Sequence, residues 1–371
     1  MKTKAALIYE APSKWLVEEV ELDDPKDGEV LVRMVGSGLC HSDDHMTRAE
    51  VRTVRERPIC GGHEGGAVVE KIGRGVETLK VGDHVVTSFI PACGYCRWCA
   101  SGYQNLCDNG RLYAASAQLD GTYRMHHKGA DVGTAALLGT FAEYQVFDER
   151  SCVKVDKDLP LDVVCLLGCG VPTGWGGAVN GGEIKPGDVV IVMGVGGIGI
   201  NAVQGAAHAG AAHVIAVDPV EFKRTESLKL GATEAFADME AATEFARSIT
   251  NGQGADSSVI CTSLIQSEYV GEAFSSIRKG GTVVVTAQGN YGSGMPINLF
   301  EISMYQKRIQ GNLSGMISLR RSIPQLVDLY RSGQLKLDEI ITRRYRLDQV
   351  NQGYDDMWAG INIRGVIDFG N

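Results

Sequence analysis

Along the first 150 residues, apolar positions come in short runs broken by glycine and aspartate. Residues 4–9, 28–35 and 65–72, rich in Val, Ile and Ala, predict strands, and residues 82–86 continue the pattern. No long helix-period pattern appears there. The pattern changes near residue 160. Residues 159–180 form a Gly-rich connection with helical stretches, and residues 189–193 are continuously apolar, as in a parallel strand buried on both faces. Residues 199–209 are small and apolar, which predicts a helix packed tightly on a sheet, and 213–217 reads as the next strand. The alternation then repeats, with helices over 221–230, 241–249 and 269–277 and strands over 233–236, 257–262 and 281–286. This is the signature of a doubly wound α/β sheet. A helix over 323–330 and a strand near 366–369 close the chain, in a segment that can return to the first domain.

Length turns this into a two-domain expectation, since 371 residues exceed the usual span of one core. With 44% hydrophobic and 22% charged residues, the composition is that of an ordinary globular protein. A net charge of −9 argues against a nucleic-acid partner, and Arg320-Arg321 and Arg343-Arg344 read as solvated surface. The N-terminal apolar run is too short for a signal-peptide core, and no segment approaches the ~20 apolar residues of a membrane span. A cytoplasmic protein without membrane attachment is expected.

Two motifs carry chemistry. Gly194-Val195-Gly196-Gly197-Ile198-Gly199 follows a predicted strand and opens a predicted helix. Gly194 permits a tight turn, Gly196 a close approach of backbone to a pyrophosphate, and Gly199 close packing of helix on strand. The anion would sit on the helix N-terminus. Asp218 ends the following strand, where its carboxylate can accept from an adenosine ribose diol and repel a 2′-phosphate, so NAD is favoured over NADP. Lys223 can add a ribose contact. The second motif is Cys93-x2-Cys96-x2-Cys99-x7-Cys107, four of the chain's ten cysteines within one lobe. Four thiolates close a tetrahedral shell around zinc and leave no open position, so the site reads as structural. Iron–sulfur ligation is the competing metal.

A catalytic zinc needs about three protein ligands and an exchangeable position. Cys40, His63 and Cys169 are candidates, although singly His63 could be a satisfied core histidine and Cys169 a small buried hydrophobe. Zinc would acidify an alcohol hydroxyl while a nicotinamide takes the hydride. Ser42 can accept the substrate proton, His45 can receive it near solvent, and Asp43 can orient a ligand histidine.

These residues sit in GSGLCHSDDH, GGHEGGAVVEKIG, the four-cysteine lobe, LLGCGVPTGWGGAVN, the glycine loop with Asp218, and INIRGVI. Together, in this order, they resemble the zinc-containing medium-chain alcohol dehydrogenases over essentially the whole chain. The resemblance implies a GroES-like, strand-rich catalytic domain (1–160 and 325–371) around a Rossmann domain (161–324). It implies catalytic zinc on Cys40, His63 and Cys169, with Glu64 as the carboxylate that approaches during ligand exchange. It implies structural zinc on Cys93, Cys96, Cys99 and Cys107, so two Zn(II) per chain. Ser42 and His45 match the proton relay, His41 and Arg364 pyrophosphate contacts, Thr173 a residue near the nicotinamide, and Phe89 and Phe141 the alcohol channel. Family members form dimers or tetramers.

Within that family the chain resembles the actinobacterial nicotinoprotein branch. Its members retain NAD(H) through turnover, are assayed with a nitroso acceptor and are thought to pass electrons to mycofactocin. The alternatives are a dissociable-NAD alcohol dehydrogenase and the branch oxidising S-hydroxymethyl-glutathione or S-hydroxymethyl-mycothiol. Arg111 favours the thiol branch, whereas the segment after His45 lacks the acidic residue that branch places there. Residues 48–57 and 113–132 are the expected seats of cofactor retention.

Overall fold

The computed structural model describes residues 1–50, 58–110, 116–289 and 292–370. They divide into two compact units, Met1–Cys169 with Ile317–Ser332 and Leu337–Asn371, and Gly170–Met316 with Gly333–Lys336.

In the first unit, strands Lys2–Ile8, Leu16–Leu22, Met125–His127, Ala130–Thr134 and Ile59–Cys60 close a small barrel. Its interior holds Ala5, Leu7, Val20, Leu22, Met125 and Val132. A second sheet runs in the order Cys152–Val155, His84–Thr87, Glu64–Ile72, Glu29–Gly38, Arg364–Asp368 and Ile341–Tyr345, and Tyr144–Asp148 also pairs with Glu29–Gly38. The C-terminal strand is therefore part of this unit, with Val366 opposite Gly38. The unit continues past residue 160 because the helical turns Leu161–Val164 and Cys165–Gly168 pack on the sheet strands Glu29–Gly38 and Glu64–Ile72.

The second unit is a six-stranded parallel sheet. In chain order its strands are Val189–Met193, His213–Val217, Glu234–Phe236, Ala255–Ile260, Ile277–Val285 and Arg308–Gly311, and in space they run third, second, first, fourth, fifth, sixth. Helix Gly199–His208 covers one face through Ala202, Val203 and Ala206. Helices Met239–Ile249 and Ser267–Ser276 cover the other through Met239, Ala242, Ala246, Val270 and Phe274. Burial from both sides is why the central strand Val189–Met193 is apolar at every position. Strand order reverses beside that strand, and the Gly194–Gly199 loop leaves its carboxyl end there, the crevice where such sheets bind ligands.

Among the described residues no single helix is long and apolar enough to cross a membrane.

Candidate active site

Three pieces of backbone converge in the first unit. Strand Glu29–Gly38 runs into Cys40, which is still extended and immediately precedes the two-turn helix His41–Thr47. Asp43 and Asp44 occupy the first turn, where carboxylates oppose the helix dipole favourably. His63 and Glu64 open strand Glu64–Ile72 opposite Gly38, and Cys169 follows the turns ending at Gly168. One ligand atom from each of Cys40, His63, Glu64 and Cys169 lies within 4.8 Å of all the others. Gly38 makes room for this. A Cβ there would lie 2.1 Å from Glu64 Oε2 and 2.9 Å from Arg364 Nη2.

The group is buried and finely charged. His63 Nδ1 lies 2.9 Å from Asp43 Oδ2, within ion-pair range but off the axis of a straight hydrogen bond. Asp43 Oδ1 accepts from the Gly62 N–H at 2.9 Å, which fixes the carboxylate behind the ring. Burial pulls the His63 pKa down, but Asp43 and the two cysteine sulfurs outweigh it and hold it well above the usual value. Cys169 donates to Cys40, which with His63 and Arg364 holds Cys40 well below the usual thiol range despite burial, while Cys169 is held well above it. The two sulfurs are thus hydrogen-bonded to each other beside the imidazole. Two thiolates and an imidazole match the donor set of catalytic zinc, and a divalent cation would displace the proton between the sulfurs. Glu64 is raised to about 7 by burial, against the pull of its ion-pair partner Arg364. Arg364 is itself buried, and its Nε has no hydrogen-bond partner among the described residues.

The second cysteine set forms a separate lobe. Cys93, Cys96, Cys99 and Cys107 bring their sulfurs within 4.8 Å of one another, with Cys93–Cys99 and Cys96–Cys107 both at 3.9 Å. Four sulfurs on one zinc at ~2.3 Å would stand about 3.8 Å apart. The spacing fits a single ion, whereas a multi-iron cluster would hold its thiolates farther apart. Backbone N–H groups of Asp108 and Cys99 lower the Cys96 thiol to about 6, while burial pushes Cys99 up to about 12.

Ser42 Oγ lies 3.7 Å from Cys40 Sγ, next to the ligand group. His45 corrects an expectation: it does not face solvent but is 2% exposed. The C-terminal helix Val350–Trp358 explains why its own helix is covered. Trp358 Nε1 donates to Asp44 Oδ2 at 2.5 Å, its ring meets His41 edge-on at 5.5 Å, and Arg48 lies over that ring at 4.1 Å. Trp358, Asp44 and Tyr354, whose hydroxyl donates to the Cys40 carbonyl at 3.4 Å, gave no signal in the sequence, because their partners lie at the far end of the chain. Glu50 is a further addition. Its Oε2 lies 2.6 Å from His45 Nδ1. Phe89 meets His63 edge-on at 6.0 Å, but Phe141 is fully enclosed among Trp15, Gly61, Gly62 and Tyr354. Arg111, residues 51–57 and residues 113–115 lie outside the described residues.

In the second unit, each glycine of the loop has a distinct geometry. Gly194 adopts φ +85°, and a Cβ on Gly199 would lie 1.8 Å from the Gly194 carbonyl oxygen. Gly196 faces open space, with Lys223 Nζ 3.8 Å from where its Cβ would be. The Gly197 carbonyl accepts from Asn201 Nδ2 at 2.9 Å, inside the helix that follows. Asp218 accepts from the Val195 N–H at 3.1 Å and the Val220 N–H at 3.0 Å, so its carboxylate is fixed against the loop. Thr173 lies in helix Gly170–Gly176, and its carbonyl accepts from Asn312 Nδ2 at 2.9 Å.

Comparison with known proteins follows the same division. A family model described as the alcohol dehydrogenase GroES-like domain matches residues 26–157, and one described as zinc-binding dehydrogenase matches residues 197–332. An NDMA-dependent alcohol dehydrogenase from Amycolatopsis methanolica is 49% identical, over 99% of this chain and 99% of its own. A putative alcohol dehydrogenase D from Mycobacterium tuberculosis is 48% identical, over 99% of this chain and 100% of its own. Among solved structures, an alcohol dehydrogenase zinc-binding domain protein from Burkholderia ambifaria matches with a TM-score of 0.92 at 30% identity, covering 100% of both chains.

Proposed function

Because the chain belongs to the zinc-containing medium-chain alcohol dehydrogenases, and is a zinc-dependent, NAD-linked alcohol oxidoreductase, we propose a specific form of that chemistry. The substrate is a primary alcohol, oxidised to its aldehyde. The NAD(H) stays bound through turnover, and an external redox acceptor such as mycofactocin takes its electrons. The observation that carries the zinc chemistry is the buried group of Cys40, His63 and Cys169 with Asp43 fixed behind His63. Retention of NAD(H) is supported by the full-length similarity to a relative named for its dependence on an added acceptor.

Cys40, His63 and Cys169 would hold a zinc that, when bound, would acidify the alcohol hydroxyl, and bound NAD would supply the hydride acceptor. The chain's own residues do the rest. Asp43 orients His63 and makes it a better donor. Ser42, beside Cys40, receives the hydroxyl proton and hands it towards His45. Glu64 is held off by Arg364, within reach of the ligand atoms for the moment of exchange. Within the second unit, Gly194, Gly196, Gly197 and Gly199 would hold the pyrophosphate and Asp218 and Lys223 the adenosine ribose, and His41, Thr173 and Arg364 are the further cofactor-binding residues that the family resemblance implies. Cys93, Cys96, Cys99 and Cys107 hold the structural zinc. The protein works in the cytoplasm as a homodimer or homotetramer. In support of assembly, strand Arg308–Gly311 is a sheet edge, and Leu299, Phe300 and Met304 are exposed apolar residues.

Desalted protein tests the retained cofactor. One addition of alcohol, with no free NAD, should raise absorbance at about 340 nm once, to a plateau, where reduced nicotinamide absorbs. A nitroso acceptor should then abolish it. Protein that emerges empty and reduces free NAD continuously would remove the retained-cofactor reading and leave an ordinary alcohol dehydrogenase. Activity on formaldehyde only with added glutathione or mycothiol would place it in the thiol branch instead.

A further inference from the structure

The buried position of His45 sets the relay back from water, and Glu50 reaches from His45 to a half-exposed position. The helix His41–Thr47 ends in a tight reversal. The Arg48 N–H donates to the Asp44 carbonyl at 3.1 Å, Ala49 takes the left-handed conformation at φ +59°, and the Glu50 N–H donates to the His45 carbonyl at 3.1 Å. Glycine is the usual residue at such a reversal, and an alanine there costs roughly 1 kcal/mol. The turn pins the Glu50 backbone to the residue that its side chain faces. Glu50 Oε2 lies 2.6 Å from His45 Nδ1, a distance expected of a hydrogen bond to a charged acceptor. The two side chains differ in access to water, at 2% exposure for His45 and 33% for Glu50.

We propose that Glu50 is the outlet of the proton relay: it fixes the His45 ring through Nδ1 and carries the substrate proton from it to water. The inference rests on the alcohol dehydrogenase relay through Ser42 and His45 described above. Oxidation of an alcohol gives the aldehyde, a hydride on NAD, and one proton from the hydroxyl. That proton passes to Ser42 as Ser42 releases its own towards His45. His45 gives its Nδ1 proton to the Glu50 carboxylate as its ring takes up the incoming one. Glu50 then releases a proton to solvent; Ser42 and Glu50 are back in their starting states, and His45, left protonated on its other ring nitrogen, regains the Nδ1–H tautomer by proton exchange before the next turnover. No other reactant is required, and the carboxylate also fixes which ring nitrogen carries the proton at rest.

Glu50→Gln keeps the size and a hydrogen-bonding group but cannot accept the proton. The measurement is a stopped-flow single turnover with the full-length zinc enzyme saturated with NAD. Reduced nicotinamide and proton release to an indicator dye are followed together, in H2O and in D2O. In the unsubstituted enzyme, proton release should keep pace with hydride transfer. In Glu50→Gln it should lag and slow about ten- to hundredfold, with a larger solvent isotope effect, and added acetate or imidazole should restore it in proportion to concentration. Zinc content and NAD affinity should not change. Proton release that keeps pace in Glu50→Gln overturns the proposal. So does a loss of rate with no lag, no rescue and no change in isotope effect, since that is what a purely structural tie would give. His45→Gln, measured alongside, separates the two levels. If it slows proton release while Glu50→Gln does not, only the outlet fails. If neither does, the relay itself is wrong.

Discussion

Asp218 shows how much one side chain is asked to do. The sequence places an acid at the end of the second parallel strand, which is enough to read a ribose contact and a preference against a 2′-phosphate. The structure adds that both carboxylate oxygens are already held by backbone amides, those of Val195 in the glycine loop and Val220 beyond it. The same group therefore sets the loop and would receive the ribose. Asp218→Asn separates these tasks better than Asp218→Gly, because it keeps a carbonyl for one amide and loses the charge. NAD should weaken roughly ten- to hundredfold, the size of a lost hydrogen bond to a charged group, and the preference for NAD over NADP should narrow. Equilibrium titration of both dinucleotides measures this, and an unchanged ratio would leave Asp218 as a loop support only. His45 marks the opposite case. Its identity and its place after Cys40 were legible, but its surroundings were not, because Trp358, which covers its helix, comes from the other end of the chain. Residue types and spacing report candidate chemistry, and burial from distant segments escapes them.

The same contrast holds between elements. Strand Val189–Met193 falls where the apolar run begins and ends, because it is buried on both faces and has no polar position to blur its limits, and His213–Val217 departs from this only at the half-buried His213 that opens it. The barrel strands Leu16–Leu22 and Met125–His127 carried too little pattern to be predicted, being short or charged on the outward face. Helix starts in the second unit were placed within a few residues, and Asp238, which caps the Ala241 N–H at 2.9 Å, marks one of them. The glycine loop was legible down to the task of each glycine because those tasks are steric. A β-carbon on Gly199 would lie 1.8 Å from the Gly194 carbonyl oxygen, which is backbone and cannot rotate away. Gly199→Ala must therefore push helix Gly199–His208 away from strand Val189–Met193. A loss of about 1–3 kcal/mol of stability is expected, with dinucleotide affinity falling far more than the fold. Denaturant melts and NAD titration measure the two effects, and a variant that binds NAD normally would mean that the helix is free to shift.

At the scale of the whole molecule, the first unit carries both metal-binding groups, and their difference in construction is testable by removing metal. The lobe offers four thiolates, a closed shell with no position for an incoming ligand. The other group offers two sulfurs and one imidazole, with Glu64 held aside by Arg364, and so keeps a position open. A bidentate aromatic chelator can bind at an open position before the protein ligands let go, and has no such foothold on a closed one. Burial acts the other way, since Cys40, His63 and Cys169 are buried whereas Cys93 and Cys96 are partly exposed. If coordination decides, dialysis against such a chelator should lower zinc from two per chain to one and abolish alcohol oxidation, with little change in melting temperature. Added zinc should restore activity. The second zinc should leave only after thiol modification or unfolding, and its loss should lower the melting temperature, because metal bound only to the folded lobe stabilises it by mass action. Zinc per chain, activity and thermal melts on the same samples settle the order. Full activity at one zinc per chain would mean that the exposed lobe empties first and that burial governs release. Simultaneous loss of both ions would mean that the two groups do not hold metal independently.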